Sequence, residues 1–126
     1  MRVVDSSAWL EWLADSALGR VVGRELPRKE TWIVPTIVQY ELARWLAREV
    51  SEDAVDDTIA FSTQCVVIDL TTRLALEAVE ISRNHGLAMA DAIIYATAVD
   101  MGADLLTCDA HFEKLPRVAY FAKGPR

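Results

Sequence analysis

A basic surplus is the first thing this sequence lacks. Thirteen Lys and Arg stand against 19 Asp and Glu, and the formal net charge is −6. That balance argues against a nonspecific nucleic-acid binder, which normally carries a basic surplus. It leaves local patches open, because clustered carboxylates that recruit divalent cations change their local sign. Cysteine is scarce too. Cys65 and Cys108 are the only two, with no paired spacing, so neither a disulfide framework nor an oxidising compartment is expected. Cys108 and His111 form a lone Cys-x-x-His, and without a second pair a zinc site is not expected. No uncharged apolar run approaches the roughly 18 residues of a membrane span. Met1 to Asp5 lacks the charged segment and apolar run of a secretory signal. A cytoplasmic location and no membrane partner are therefore expected.

Internal repeats, low-complexity tracts and linkers are missing as well, so residues 1–126 read as one domain. A chain of that length buries roughly two-thirds of its unfolded surface and needs no disulfide or structural metal. What is present in excess is apolar residues, at 52%. That exceeds the usual share for a globular domain, and part of it is expected to face a partner.

Strand and helix signals alternate along the chain. Arg2-Val3-Val4 reads as a short buried strand, and Asp5, Ser6 and Ser7 are good helix-starting residues. Helices follow through Trp9 to Leu13 and from about Ala17 to Leu26, before Pro27. Trp32-Ile33-Val34 is the next strand, closed by Pro35, and Thr36 with Gln39 has capping-box spacing for a helix to about Val50. Ser51 opens another helix with Glu52 and Asp53 in its first turn. Cys65 to Ile68 is a strand, and Thr71 to His85 a helix that Gly86 can end. A helix over Ala90 to Met101 and strands at Leu105–Thr107 and Val118–Phe121 complete the pattern. Five strands with little polar alternation, separated by helices, predict an α/β fold with a parallel sheet covered on both faces.

In such sheets, sites form beyond the carboxyl ends of strands. Asp5 directly follows the first strand, and Asp109 stands two residues after the fourth. If those strands are neighbours, the two carboxylates meet. Taken singly, Asp5 can be a helix cap and Asp109 the start of a turn. Glu41 shares an apolar helix face with Ile37, Val38 and Trp45, where a carboxylate is costly unless paired. Its partner is either a cation such as Arg44 or Arg48 or a metal ion. Those arginines are also placed to guide phosphate toward Glu41, or else to form a solvated face. Asp91 falls in the first turn of its helix, where the dipole alone would favour it. All four acids lie at element ends that can converge, and carboxylate clusters bind Mg²⁺ or Mn²⁺ readily.

The segments Val3-Val4-Asp5-Ser6-Ser7, Tyr40-Glu41-Leu42, Ala90-Asp91-Ala92-Ile93-Ile94-Tyr95-Ala96 and Leu106-Thr107-Cys108-Asp109-Ala110-His111-Phe112 resemble the signature blocks of PIN-domain nucleases. Their order and the chain length are similar to those of VapC toxins of toxin–antitoxin pairs. The resemblance spans nearly the whole chain. It implies a single PIN-like domain with a five-stranded parallel sheet of order 3-2-1-4-5, flanked by helices. It also implies Mg²⁺- or Mn²⁺-dependent RNA cleavage, homodimerisation and inhibition by a small antitoxin. By matching position, Asp5, Glu41, Asp91 and Asp109 take the catalytic and metal-binding roles, while Ser6 or Ser7 and Thr107 orient a carboxylate or a water. Trp9, Trp12, Leu42 and Trp45 crowd the two helices that border the acids. Core packing is their default role, and an antitoxin-binding surface is the expectation for any surplus. Two rival readings remain: a PIN-like module that binds without cutting, and a phospho-acceptor receiver domain using Asp5, Asp69, Thr107 and Lys123. The second lacks paired acids after the first strand.

Overall fold

The protein is described by a computed structural model covering residues 1–124. Its sheet is built from β1 (Arg2–Val4), β2 (Trp32–Pro35), β3 (Val66–Ile68), β4 (Asp104–Thr107) and β5 (Val118–Tyr120). The helices are α1 (Ser6–Leu13), α2 (Ala17–Gly23), α3 (Thr36–Glu49), α4 (Glu52–Ser62), α5 (Thr72–His85) and α6 (Met89–Asp100). All strand pairs are parallel and the order is β3-β2-β1-β4-β5, as the family resemblance implies.

The strands read as unbroken apolar runs because both faces are covered. Val3, Val4, Ile33, Val34, Leu105 and Leu106 are each 0% exposed. Full burial of one such side chain is worth about 1.5–3 kcal/mol, so the central three strands anchor the fold. In register, Arg2 faces Asp104 and Val4 faces Leu106. The Asp5 amide then donates to the Leu106 carbonyl at 2.9 Å, carrying the β1–β4 ladder one residue beyond the strand. That pairing sets the chain after β1 beside the chain after β4.

Several helix ends follow from local chemistry. Ser51 Oγ accepts from the Ala54 amide at the start of α4, and Thr71 Oγ1 from the Leu74 amide at the start of α5. Gly86 ends α5 at φ +67°, a left-handed turn that favours glycine. Two expectations need correction. Thr36 and Gln39 form no capping box: Pro35 is the extended residue before α3, no side chain caps it, and Thr36 is already helical. The Gln39 amide instead donates to Ser62 Oγ at 2.9 Å, tying α3 to α4. Helix α2 stops at Gly23 rather than near Leu26; Pro27 disfavours helical geometry at Leu26 itself.

The tryptophans turn inward. Trp9 is 0% exposed, and its ring centroid lies 4.7 Å from that of Trp32 and 5.9 Å from those of Trp12 and Phe61. Leu42 is also fully buried. Trp9 and Leu42 are therefore core residues, the default role for these helices, and have no surface to offer the antitoxin expected for any surplus. Trp12 packs on the same aromatic cluster, and both it and Trp45 keep some exposure. No helix among the described residues is long and apolar enough to cross a membrane.

Candidate active site

Opposite ends of β1 and β4 carry opposite electrostatics. At the amino ends, the Arg2 guanidinium grips Asp104 with two bonds of 3.0 and 2.8 Å. These bonds hold the Asp104 carboxyl below the usual carboxylate range. Beyond the carboxyl ends stand Asp5 and Asp109, and no ion pair among the described residues gives either a Lys or Arg partner. Acids placed only for stability would be expected to look like Asp104.

Asp5 is 2% exposed. Its Oδ2 accepts from Ser7 Oγ at 2.7 Å and from Thr107 Oγ1 at 2.8 Å. Each hydroxyl also accepts a backbone N–H from the chain after β4: Cys108 on Ser7 at 3.0 Å, and Asp109 on Thr107 at 2.9 Å. Each hydroxyl has one hydrogen, and Asp5 takes both, so the 3.3 Å Ser7–Thr107 contact adds no second bond. The two hydroxyls thus fix both the Asp5 carboxylate and the backbone that carries Asp109. Among the described residues, nothing hydrogen-bonds Asp5 Oδ1.

Burial pushes the Asp5 carboxyl above its ordinary pKa; the two hydroxyl bonds oppose this, and Asp91 and Asp109 add to it. Glu41, on α3, is raised mainly by its own burial and further by Asp5, Asp91 and Asp109. Its Oε1 accepts from Ser6 Oγ at 3.0 Å. Neither Arg44 nor Arg48 pairs with it; Arg48 lies on Glu49 at 2.9 Å. The hydroxyls after β1 divide the work, with Ser6 holding Glu41 and Ser7 holding Asp5. Asp91, in the first turn of α6, is raised by burial and by Asp109, while its bond to His111 lowers it.

His111 is the residue that sequence reasoning missed. Its Nδ1 lies 3.1 Å from Asp91 Oδ2 and 3.4 Å from Asp109 Oδ1. Asp109 caps a short 3-10 turn over Ala110–Phe112 and accepts the His111 amide at 2.9 Å. An Asp followed two residues later by His, just past a strand, is the signal that would have found it. The Cys-x-x-His spacing pointed elsewhere. Cys108 is 2% exposed, and its thiol is pushed up to about 11, first by burial and then by Glu11 and Asp5. The group of donor atoms that could share a cation includes His111 and leaves Cys108 out.

One donor atom each from Asp91, Asp109 and His111 falls within 4.8 Å of the others. The charges of Asp91 and Asp109 also act on the buried Asp5 carboxylate, and a mostly oxygen set suits a hard divalent cation such as Mg²⁺ or Mn²⁺. Next to Glu41 opens a cavity of about 430 Å³, lined in part by Ser6, Tyr40, Arg44, Trp45 and Arg48. It supplies cationic and aromatic groups beside the acids.

A family model described as the PIN domain matches residues 2–118. No curated protein matches the chain. Among solved structures, a toxin–antitoxin complex from Klebsiella pneumoniae is similar at 18% identity and TM-score 0.79, over 94% of this chain and 96% of that one. VapC20 of Mycobacterium tuberculosis, described as a sarcin–ricin loop cleaving toxin, gives 22% identity and TM-score 0.76 over 94% and 97%. DNA-bound VapBC from Salmonella typhimurium gives 15% and 0.73 over 96% of both chains. At these identities the likeness is one of fold. The family match displaces the receiver-domain reading, whose Asp69 and Lys123 are merely exposed here.

Proposed function

Because the chain belongs to the PIN-domain family, we propose that it is a divalent-metal-dependent endoribonuclease working as the toxin of a toxin–antitoxin pair. The observation that carries this reading is Asp5: a buried carboxylate whose charge Asp91 and Asp109 oppose and which, among the described residues, has one oxygen without a hydrogen bond and no Lys or Arg partner. Burial and mutual repulsion both oppose its charge, and a bound cation relieves both.

Asp5, Asp91 and Asp109 would hold the cation, with Glu41 beside them. Bound there, it supplies charge stabilisation for the phosphodiester and lowers the pKa of an attacking water. The chain's own groups do the rest. Ser7 and Thr107 lock the Asp5 carboxylate, so little reorganisation remains when substrate arrives. Glu41, its proton affinity raised above the ordinary range, accepts the water proton as the water oxygen bonds to phosphorus. The bond from phosphorus to the departing nucleoside oxygen then breaks, and that oxygen takes up a proton from solvent. Ser6 holds one oxygen of the Glu41 carboxylate and so limits its rotation. Arg44 and Arg48, in the adjoining cavity, draw the RNA backbone against the overall negative charge of the protein.

The same reading includes two protein partners, a small antitoxin and a second copy of the chain. Exposed apolar side chains support it: Leu70, Val79 and Met89 border an open groove between α5 and α6. Tyr40 and Trp45 border the cavity beside Glu41, where an antitoxin segment would shield the acids.

Purified, metal-free protein incubated with single-stranded and hairpin RNAs tests the activity. Cleavage is expected on adding Mg²⁺ or Mn²⁺ and should vanish with excess chelator. RNA binding without cleavage under either metal would leave a silent PIN module instead.

A further inference from the structure

We infer that His111 is a nitrogen ligand of the cation centre and makes it prefer a transition ion such as Mn²⁺ over Mg²⁺. The inference rests on the metal-centre reading above and extends it to a side chain outside the four-acid set.

Geometry brought the imidazole there by a specific route. Phe112 is 0% exposed and anchors the 3-10 turn in the core, while Asp109 accepts the His111 backbone N–H. The turn therefore cannot swing away, and its neighbouring residue is directed over the acids. The ring itself is 71% exposed, so apolar packing does not explain where it sits. Its Nδ1 reaches two carboxylates from different elements, Asp91 at 3.1 Å and Asp109 at 3.4 Å.

Those separations match what a cation needs. Ligands about 2.1 Å from an octahedral ion lie about 3 Å from their neighbours on the coordination shell. The three donor atoms, all within 4.8 Å, therefore require small adjustments to share one ion. In the metal-free protein a hydrogen bond from the same nitrogen to Asp91 holds that spacing. Asp5 adds a buried carboxylate to this neighbourhood: it is 2% exposed, nothing among the described residues hydrogen-bonds its Oδ1, and the charges of Asp91 and Asp109 oppose its own.

Nitrogen in the donor set matters for selectivity. Mg²⁺ takes oxygen ligands and keeps much of its water, whereas imidazole suits first-row transition ions. Replacing one water by imidazole strengthens binding of Mn²⁺ more than that of Mg²⁺.

The competing role is that of a counter-charge, with His111 merely neutralising Asp91 and leaving when a cation arrives. The two roles predict opposite results. Mn²⁺ and Mg²⁺ are titrated calorimetrically into metal-free wild-type protein and His111→Ala, and the Mn²⁺ complexes are examined by pulsed electron paramagnetic resonance. A ligand role predicts a ¹⁴N coupling to Mn²⁺ in the wild type that disappears in the variant. It also predicts Mn²⁺ affinity down about tenfold or more, with Mg²⁺ affinity changed far less. Mn²⁺ affinity unchanged or raised in His111→Ala, or no ¹⁴N coupling in a wild type that binds Mn²⁺, overturns the inference and leaves the carboxylate centre standing. Failure of the wild type to bind either ion overturns both. The variant keeps the backbone N–H that Asp109 accepts, and the spectrum of the wild type needs no variant at all.

Discussion

Asp5→Asn is expected to lose at least about a hundredfold in metal-dependent RNA cleavage while folding normally. Even outer partners of metal ligands cost 10- to 100-fold when removed, and Asp5 is placed to contribute a full charge. The amide oxygen can still accept from Ser7 and Thr107, so the local bonds survive. Stability should move the other way. In the folded protein, burial makes Asp5 hold its proton more tightly than an ordinary carboxylate. Between the ordinary and the raised pKa the native state therefore binds more protons than the unfolded chain. Stability from this group is fully present below that window and is lost as pH rises through it. Asn carries no such cost. Metal-free Asp5→Asn should be at least as stable as wild type at pH 7, and the difference should close near pH 4. A variant that is both inactive and markedly less stable at neutral pH would indicate a structural role instead.

Trp9→Ala carries the largest expected stability effect. Its ring is wholly enclosed by Trp12, Trp32 and Phe61, and removing such a ring costs about 3–5 kcal/mol. One gain opposes this. The Trp9 indole N–H finds no acceptor among the described residues, and losing an unpaired buried donor returns about 1–3 kcal/mol. Cavity formation still wins, by about 2 kcal/mol, a large part of the 5–15 kcal/mol typical of a domain. The midpoint of denaturant unfolding reads the change. An unaltered midpoint would mean that the aromatic cluster does not hold α1 to the sheet.

That second result also marks where sequence reasoning reached its limit. Val3-Val4, Ile33-Val34 and Leu105-Leu106 announced buried strands because apolar runs without alternation leave little else to infer. Sheet order did not follow from such runs; it came from the likeness to a family, and the Arg2–Asp104 and Val4–Leu106 register agrees with it. A crowded helix such as Trp9 to Leu13 shows how much apolar surface exists, not which way it faces. The inward turn of Trp9 depends on Trp32 and Phe61, 23 and 52 residues away in the chain.

The acids were legible for a different reason. Asp5, Asp91 and Asp109 stand at the ends of elements, which the parallel topology gathers along one edge, whereas Glu41, inside α3, was legible as a carboxylate on an apolar helix face. Their partners were harder to read. Helical spacing shows that Arg44 and Arg48 can approach Glu41, yet Ser6, on another helix, is the group that bonds it. His111 was not linked to the acids because its neighbour Asp91 is 20 residues away and the 3-10 turn aims the ring across that gap.

Calorimetric titration of Mn²⁺ into the metal-free protein tests the central claim most directly. The account predicts one saturable class of binding in the wild type, strongly weakened in both Asp91→Asn and Asp109→Asn. Binding of equal strength in those variants, or none in the wild type, would contradict a metal centre built from these carboxylates.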